Sequence, residues 1–331
     1  MKQGRPISEV LTEIKRQSEI KHDYITPAEK CTLAENGETF RFADMEFGTT
    51  ELFHRQIGST LGIPAKYYDQ MRKTKPQLLA YNVNTWFADK EQSYMIRSLD
   101  ESRCKLARAF LSERYRRIDN LEVASTVLPL FQGMEVASAA ITDQHLYIKV
   151  VNHALEAEVV PGDVVQAGVV VSNSEVGLGA VCVYPLIYRL VCKNGMCVPD
   201  FGERRAHIGK VANEDFYSAA TLEAENKAFL LRLRDAAMAA LEEARFKQLV
   251  GKLQAAAKVK LTGHIKDVVE LTAKTYEFNQ IEQDSILEYL IEGGDLSLYG
   301  LGNAITRTSQ DVESYERATV LEKVGWQVLN V

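Results

Sequence analysis

A chain of 331 residues, 46% hydrophobic, with 45 acidic against 39 basic side chains and a formal charge of −6, excludes a disordered or low-complexity protein. Such a length suits two domains or one elaborated domain with a full core, needing no disulfide or metal staple. No apolar run approaches the roughly 18 residues of a membrane span, and the start Met1-Lys2-Gln3-Gly4-Arg5-Pro6 lacks a signal-peptide apolar stretch, so a cytoplasmic protein with no membrane partner is expected.

An opening helix is expected from Ser8 as N-cap and from Ile7, Val10, Leu11 and Ile14 at helical spacing. A short strand follows at 40–42. Residues 52–71 read as two short helices broken at Gly62-Ile63-Pro64, a helix-turn-helix pattern. Its second helix would offer Lys66, Tyr67 and Gln70 to a major groove; the plainer alternative is a helical hairpin with its tyrosines and Met71 in the core. Residues 93–99 predict a strand, the basic run 103–117 has no clean period, and Asp119 or Asn120 caps a helix through Leu121, Val127 and Leu128.

From residue 145 the character changes. Residues 145–151 and 154–160 alternate as two half-buried strands, Pro161-Gly162-Asp163 is a turn, and 164–172 is a β-branched, almost wholly apolar strand. Gly177-Leu178-Gly179 breaks the chain before another β-prone run, 180–192, which ends at the hairpin signal Asn194-Gly195. An antiparallel meander is expected, with Pro185 at an edge, bulge or bend. A helix should then run from about 213 to 257, some ~40 residues or roughly 60 Å, with Leu230, Leu233, Ala237, Leu241 and Ala244 as its stripe. Gly251 is its expected interruption and Thr262-Gly263 its end. The tail is helical again, through Ile281, Ile286, Leu287, Leu290 and Ile291, then Val312, Tyr315, Leu321 and Val324. The fold class expected is α+β: a twisted antiparallel sheet with a β-β-β-α core, backed by a long helix and flanked by helical segments. The division expected is 1–90, mainly helical; 91–262, the central sheet with its helix; and 263–331, an acidic helical segment.

Charge is unevenly spread. Residues 267–331 hold twelve acids and four bases. The bases gather elsewhere, around Arg97, Arg103, Lys105, Arg108, Arg114, Arg116 and Arg117; around Arg189, Lys193, Arg204, Arg205 and Lys210; and along residues 245–266, which carry six bases and no acid. Any one such run reads as a solvated face, but three in one chain point toward a polyanion.

Catalytic constellations are thin. The five cysteines, Cys31, Cys104, Cys182, Cys192 and Cys197, read as buried thiols. Cys192-x4-Cys197 with His207 is too loosely spaced for a metal site, and Glu175 in Asn173-Ser174-Glu175-Val176-Gly177 is a single carboxylate in what reads as a polar turn. No phosphate-binding glycine loop, nucleophile elbow or zinc-binding histidine pair occurs. The expectation is therefore a protein without enzymatic activity or cofactor. Arg114-Tyr115-Arg116-Arg117, and Tyr184, Tyr188 and Arg189, combine cations with rings on which unpaired bases could stack. On an alternating strand Tyr184 and Tyr188 share one face and Arg189 takes the other.

Five stretches resemble the phage- and plasmid-borne family built on the domain of unknown function numbered nine-three-two: 110–120 (FLSERYRRIDN), 170–179 (VVSNSEVGLG), 189–196 (RLVCKNGM), 204–209 (RRAHIG) and 299–306 (YGLGNAIT). The resemblance extends from about Leu61 (LGIPAKYY) to the end of the chain. It implies a mobile-element context and no mechanism. The order strand, strand, strand, long helix is also similar to the core of the Rad-fifty-two and Red-beta superfamily of ring-forming annealing proteins, a likeness of topology alone. The function expected is single-stranded DNA binding, with annealing and recombination as its use, by a homo-oligomer. The residues expected to bind nucleic acid are Arg103, Lys105, Arg108, Arg114, Tyr115, Arg116, Arg117, Arg189, Lys193, Arg204, Arg205 and Lys210. The rival expectations are a duplex-binding regulator working through residues 52–71, and an enzyme or a counter-defence protein that binds a host protein, centred on Glu175, Cys192 and His207.

Overall fold

The computed structural model of the chain describes residues 1–102, 104–205 and 219–330. It opens with α1 (Ile7–Ile20), whose N-cap is Pro6 rather than Ser8. A first sheet follows, built from β1 (Lys21–Pro27), β2 (Cys31–Leu33), β3 (Thr39–Phe42), β4 (Met45–Thr49), β5 (Ser93–Asp100) and β6 (Lys105–Ser112) in the order β1-β5-β6-β4-β3-β2. Its pairs are antiparallel except for the short parallel contact of β4 with β6. Three helices, α2 (Glu51–Thr60), α3 (Ala65–Thr74) and α4 (Pro76–Ala88), cover one face. Phe53, Ile57, Tyr68, Met71, Leu79, Val83 and Phe87 pack there against Phe40, Ile96 and Phe110. Tyr68 and Met71 thus behave as the helical-hairpin reading required, whereas Tyr67 stays 51% exposed.

The second sheet has the order β11-β10-β9-β8-β7, with β12 added beside β10. Its strands are β7 (Glu135–Ile141), β8 (Leu146–Val160), β9 (Asp163–Asn173), β10 (Val181–Arg189), β11 (Asn194–Cys197) and β12 (Glu203–Arg205). This is the meander that the alternation predicted, in an α+β fold. The two strands read at 145–151 and 154–160 are one. Their register slips between Asn152 and Glu156 while both parts keep pairing with β9, so residues 153–155 form a bulge inside β8. Pro185 sits where β10 changes partners, between β12, paired up to Val183, and β11, paired from Leu186. Val198, opposite Pro185 in the β11 register, donates to its carbonyl at 3.0 Å, and the return bond is missing because proline has no N–H, so the β11 ladder stops there.

Helices cover both faces. On one, α1, α5 (Asn120–Val127) and α6 (Ala219–Ala240) bury Val10, Ile14, Val123, Phe229 and Leu233 against Ile148, Val150, Val169 and Val171. Further along that face α7 (Glu243–Lys258) buries Phe246, Leu249 and Leu253 against Val159, Val165 and Ile187. The single rod expected at 213–257 is therefore two helices within its described part, broken at Leu241 and Glu242, not at Gly251. A straight rod could not keep its stripe on a sheet that twists beneath it. Breaking it lets each half follow its own strands.

The acidic segment folds into α8 (Ile265–Tyr276), α9 (Gln280–Gly293), α10 (Leu298–Thr308) and α11 (Tyr315–Gln327). A methyl on Gly302 would stand 2.5 Å from the carbonyl oxygen of Gly325, so these two glycines set how closely α10 and α11 cross. Among the described residues no helix is long and apolar enough to cross a membrane.

Candidate nucleic-acid interface

Four of the eight arginines expected to bind nucleic acid are engaged by carboxylates of the fold. A β-bulge on β6 pairs Arg97 with Ala109 and Ser98 with Ala107, leaving Arg108 as the extra residue. Its guanidinium turns inward, 6% exposed, donating to Gln17 Oε1 and the Asp143 carbonyl and lying 3.7 Å from Glu175. Arg97 is wholly buried. It grips both oxygens of Asp23 at 2.7 and 2.8 Å and donates to Asp119 and to the Glu175 carbonyl, each at 3.1 Å. Lys21 adds bridges to Asp119 at 2.7 Å and to Glu175 at 3.2 Å. Three cations and three carboxylates thus compensate one another between the sheets, as buried charge must be compensated. Burial disfavours ionisation of Asp119, yet Arg97 and Lys21 hold its carboxyl below the ordinary value.

The loop that carries Glu175 joins the two sheets. The Glu175 carboxylate accepts the Asn120 N–H at 2.7 Å, Asn173 donates to the Ile118 carbonyl and to Asn120 Oδ1, and Tyr115 donates to the Ser174 carbonyl at 3.0 Å. Gln56, on α2, donates to the Val176 carbonyl at 2.7 Å. Gly177 has φ +81°, and a Cβ there would lie 2.5 Å from Leu111 Cδ2, so glycine alone fits without rearrangement. The polar turn expected at 173–177 is a structural clasp, and Glu175 is its centre.

The remaining nominated residues divide. Lys105 pairs with Asp100, Arg117 lies 3.3 Å from Asp23, and Arg116 donates to Asn226 and pairs with Glu225 at 3.2 Å. Arg189 pairs with Asp163 at 2.7 Å, Tyr184 is buried, and Tyr188 packs beside Tyr184 on the face opposite Ile187. Arg114, Lys193 and Arg204 are exposed, with no ion pair among the described residues. Arg103 and Lys210 lie outside the described residues, as does the side chain of Arg205. Of the twelve residues expected to bind nucleic acid, Arg108, Arg116, Arg117 and Arg189 thus meet carboxylates on other elements of the fold, while Arg114, Lys193 and Arg204 stay open. Within residues 245–266, Lys247 and Lys266 make exposed pairs one helical turn away, with Glu243 and Glu270, and Lys260 pairs with the more distant Asp295.

At the opposite end of β9, Asp163 also accepts from Tyr299 at 3.0 Å, Asn194 donates to Thr306, and Gln310 donates to the Cys192 carbonyl at 2.9 Å. Stretches 110–120 and 170–179 therefore meet at the clasp, and 189–196 and 299–306 meet where the second sheet joins the C-terminal helices. Glu175 and Cys192 stand at opposite ends of β9 and cannot share one site; His207 lies outside the described residues. A family model described as Domain of unknown function (DUF932) matches residues 108–325. The chain belongs to that family. The DUF932 match holds the whole second sheet, the junction with the C-terminal helices and the Glu175 side of the clasp, while Lys21, Asp23, Gln56 and Arg97, the LGIPAKYY stretch and the first three helices after β4 fall outside it. No curated protein and no solved structure matches the chain.

The open rings of this DUF932 member lie on α3 and α4. Tyr67, Tyr81 and Trp86, at 51%, 71% and 54%, are the widely exposed aromatic side chains among the described residues, and Leu78 adds 47% beside Tyr81. Lys66, Lys73 and Lys75, on and between the same helices, are exposed and have no ion pair among the described residues. Arg72 is held by Glu38 and Glu51, and Asp69 and Asp89 are the acids of this hairpin. Tyr81 and Trp86 escape sequence reading because α4 is apolar on both sides: Leu79, Val83 and Phe87 take the core and leave the other rings outside.

Proposed function

We propose that this protein binds single-stranded nucleic acid on the α3–α4 hairpin. The supporting observation is that three open rings, Tyr67, Tyr81 and Trp86, and three exposed lysines without an ion pair among the described residues are carried by two consecutive helices and the residue between them. Bases without a partner strand stack on exposed rings, and lysines capture the phosphates between them. Arg108, Arg116, Arg117 and Arg189 are engaged by carboxylates of the fold, whereas the lysines of this hairpin are open beside exposed rings. Annealing in a phage or plasmid setting, by an oligomer, is the use we assign to such binding. Its support is the order β8, β9, β10 and then α6, with two short edge strands between.

Fluorescence anisotropy with a labelled oligonucleotide at two salt concentrations tests the reading. Tyr81→Ala with Trp86→Ala should weaken binding at least tenfold, since each stacked base contributes about 1–3 kcal/mol. Binding that is insensitive to salt, or equal in wild type and variant, would exclude it. A duplex-binding reading draws on one observation, that Lys66, Tyr67 and Gln70 are exposed on the second helix of a helix-turn-helix. Competition between single-stranded and duplex DNA of one length decides between the two.

A further inference from the structure

The face of the second sheet that α11 covers ends in a cavity of about 330 Å³, lined among others by His145, Tyr147, Tyr184, Arg204 and Lys323. All five lie within the DUF932 match and far in sequence from the α3–α4 hairpin. Tyr184 is 3% exposed, and among the described residues neither its hydroxyl nor the buried Nδ1 of His145 has a hydrogen-bond partner. Buried polar atoms are ordinarily satisfied, so two orphans in one cavity mark a place where a ligand supplies the missing bonds.

Charge narrows the ligand. Lys323 lies over the Tyr184 ring, 5.2 Å from its centre, and neither Lys323 nor Arg204 has an acidic partner among the described residues. His145 stacks on Tyr147 with ring centres 5.4 Å apart. Burial disfavours the charged form of His145, and an uncharged imidazole still has one N–H to donate. The carboxylate that acts on His145, Glu316, is already engaged by the hydroxyls of Thr142 and Ser314. Among the described residues the cavity lining thus offers two cations and no acid, with a phenol, an imidazole and aromatic walls.

We propose that this cavity binds a phosphate monoester, with Arg204 and Lys323 holding the phosphoryl oxygens and the Tyr184 hydroxyl and His145 ring donating to them. Near neutral pH such a group carries about 1.5 to 2 negative charges, which two cations match. The volume falls within the roughly 300–1,000 Å³ of small-ligand sites, enough for a mononucleotide or for the phosphorylated end of a strand.

Isothermal titration with inorganic phosphate, adenosine 5′-monophosphate and adenosine tests it on the full chain. Phosphate and the monophosphate should bind, adenosine should not, and Arg204→Gln with Lys323→Gln should weaken both by at least tenfold. Tyr184→Phe, which keeps the packing, should weaken them severalfold while leaving the unfolding midpoint in place. Oligonucleotides with a 5′-phosphate or a 5′-hydroxyl separate the sources: preference for the phosphorylated strand assigns a strand end, and equal affinity alongside monophosphate binding assigns a free nucleotide. Binding of adenosine as tight as its monophosphate, no binding of either phosphate, or a double variant equal to wild type would overturn the proposal. Tyr81→Ala with Trp86→Ala should leave monophosphate affinity unchanged, so failure here is distinct from failure of the single-strand reading.

Discussion

Arg97 and Asp23 face each other across neighbouring strands as a two-pronged pair, Nε to Oδ1 at 2.7 Å and Nη2 to Oδ2 at 2.8 Å, with the guanidinium wholly buried. Removing one member of such a pair strands a charge without solvent. Asp23→Ala should therefore cost about 3–5 kcal/mol, read as a lowered urea midpoint with unchanged slope. A loss below 1 kcal/mol would mean that Asp119 alone suffices for Arg97.

Lys149 and Glu322 make a second buried pair, 2.6 Å apart and both 0% exposed. Burial opposes the charge on Lys149, but Glu322 raises its pKa above the ordinary lysine value. Lys149→Met and Glu322→Leu should each destabilise by about 3–5 kcal/mol, whereas the double variant should recover most of that loss, because apolar replacement removes both desolvation costs. Strict additivity of the two losses in a double-mutant cycle would show that the ions are not coupled.

His54 gives stability a pH dependence. Its Nδ1 lies 2.8 Å from the Tyr68 hydroxyl and its Nε2 2.7 Å from Thr49 Oγ1; burial lowers its pKa from 6.5 to about 4. The unfolded chain takes up a proton near 6.5 and the folded one resists until near 4. This contribution is fully present above 6.5 and is lost as pH falls toward 4, by on the order of 3 kcal/mol. Comparing wild type with His54→Gln over that range should show the wild-type decline flattened in the variant. Parallel pH profiles would assign the decline to other groups.

Two glycines should respond in opposite senses to alanine. Gly251 is exposed within α7 and has nothing within 4 Å of a built Cβ, so Gly251→Ala should stabilise by about 0.5–1 kcal/mol. Gly302→Ala forces a methyl to 2.5 Å from the Gly325 carbonyl and should lower the melting temperature by several degrees, a shift of about 1–3 kcal/mol. Equal melting temperatures for the two variants would contradict the close crossing.

The second sheet was legible because β8 alternates: Leu146, Ile148 and Val150 turn to the face covered by α1, α5 and α6, while Tyr147 and Lys149 turn to the face covered by α11. Most of the first sheet was not. β1 reads Lys-His-Asp-Tyr-Ile-Thr-Pro, with no apolar period to distinguish it from a loop, and becomes a strand by pairing with β5 over its whole length. The arginines misled for a related reason. Arg108 has neighbours in sequence that leave it looking unpaired, while Glu175 and Gln17, which occupy it, are distant in the chain. Charge runs report composition along the chain, and pairing is decided across it. The exposed rings of α4 were hidden in the same way, since nothing in an apolar segment distinguishes the side that the core will leave uncovered.

The clasp at 173–177 ties the fates of the two layers. Its side chains and carbonyls are anchored on β5, β6, α2 and α5 while its ends belong to the strands β9 and β10, so neither layer can melt and leave the other with its polar groups answered. Calorimetry should trace one peak for the pair, and a protease that nicked this link would release both halves to denature together.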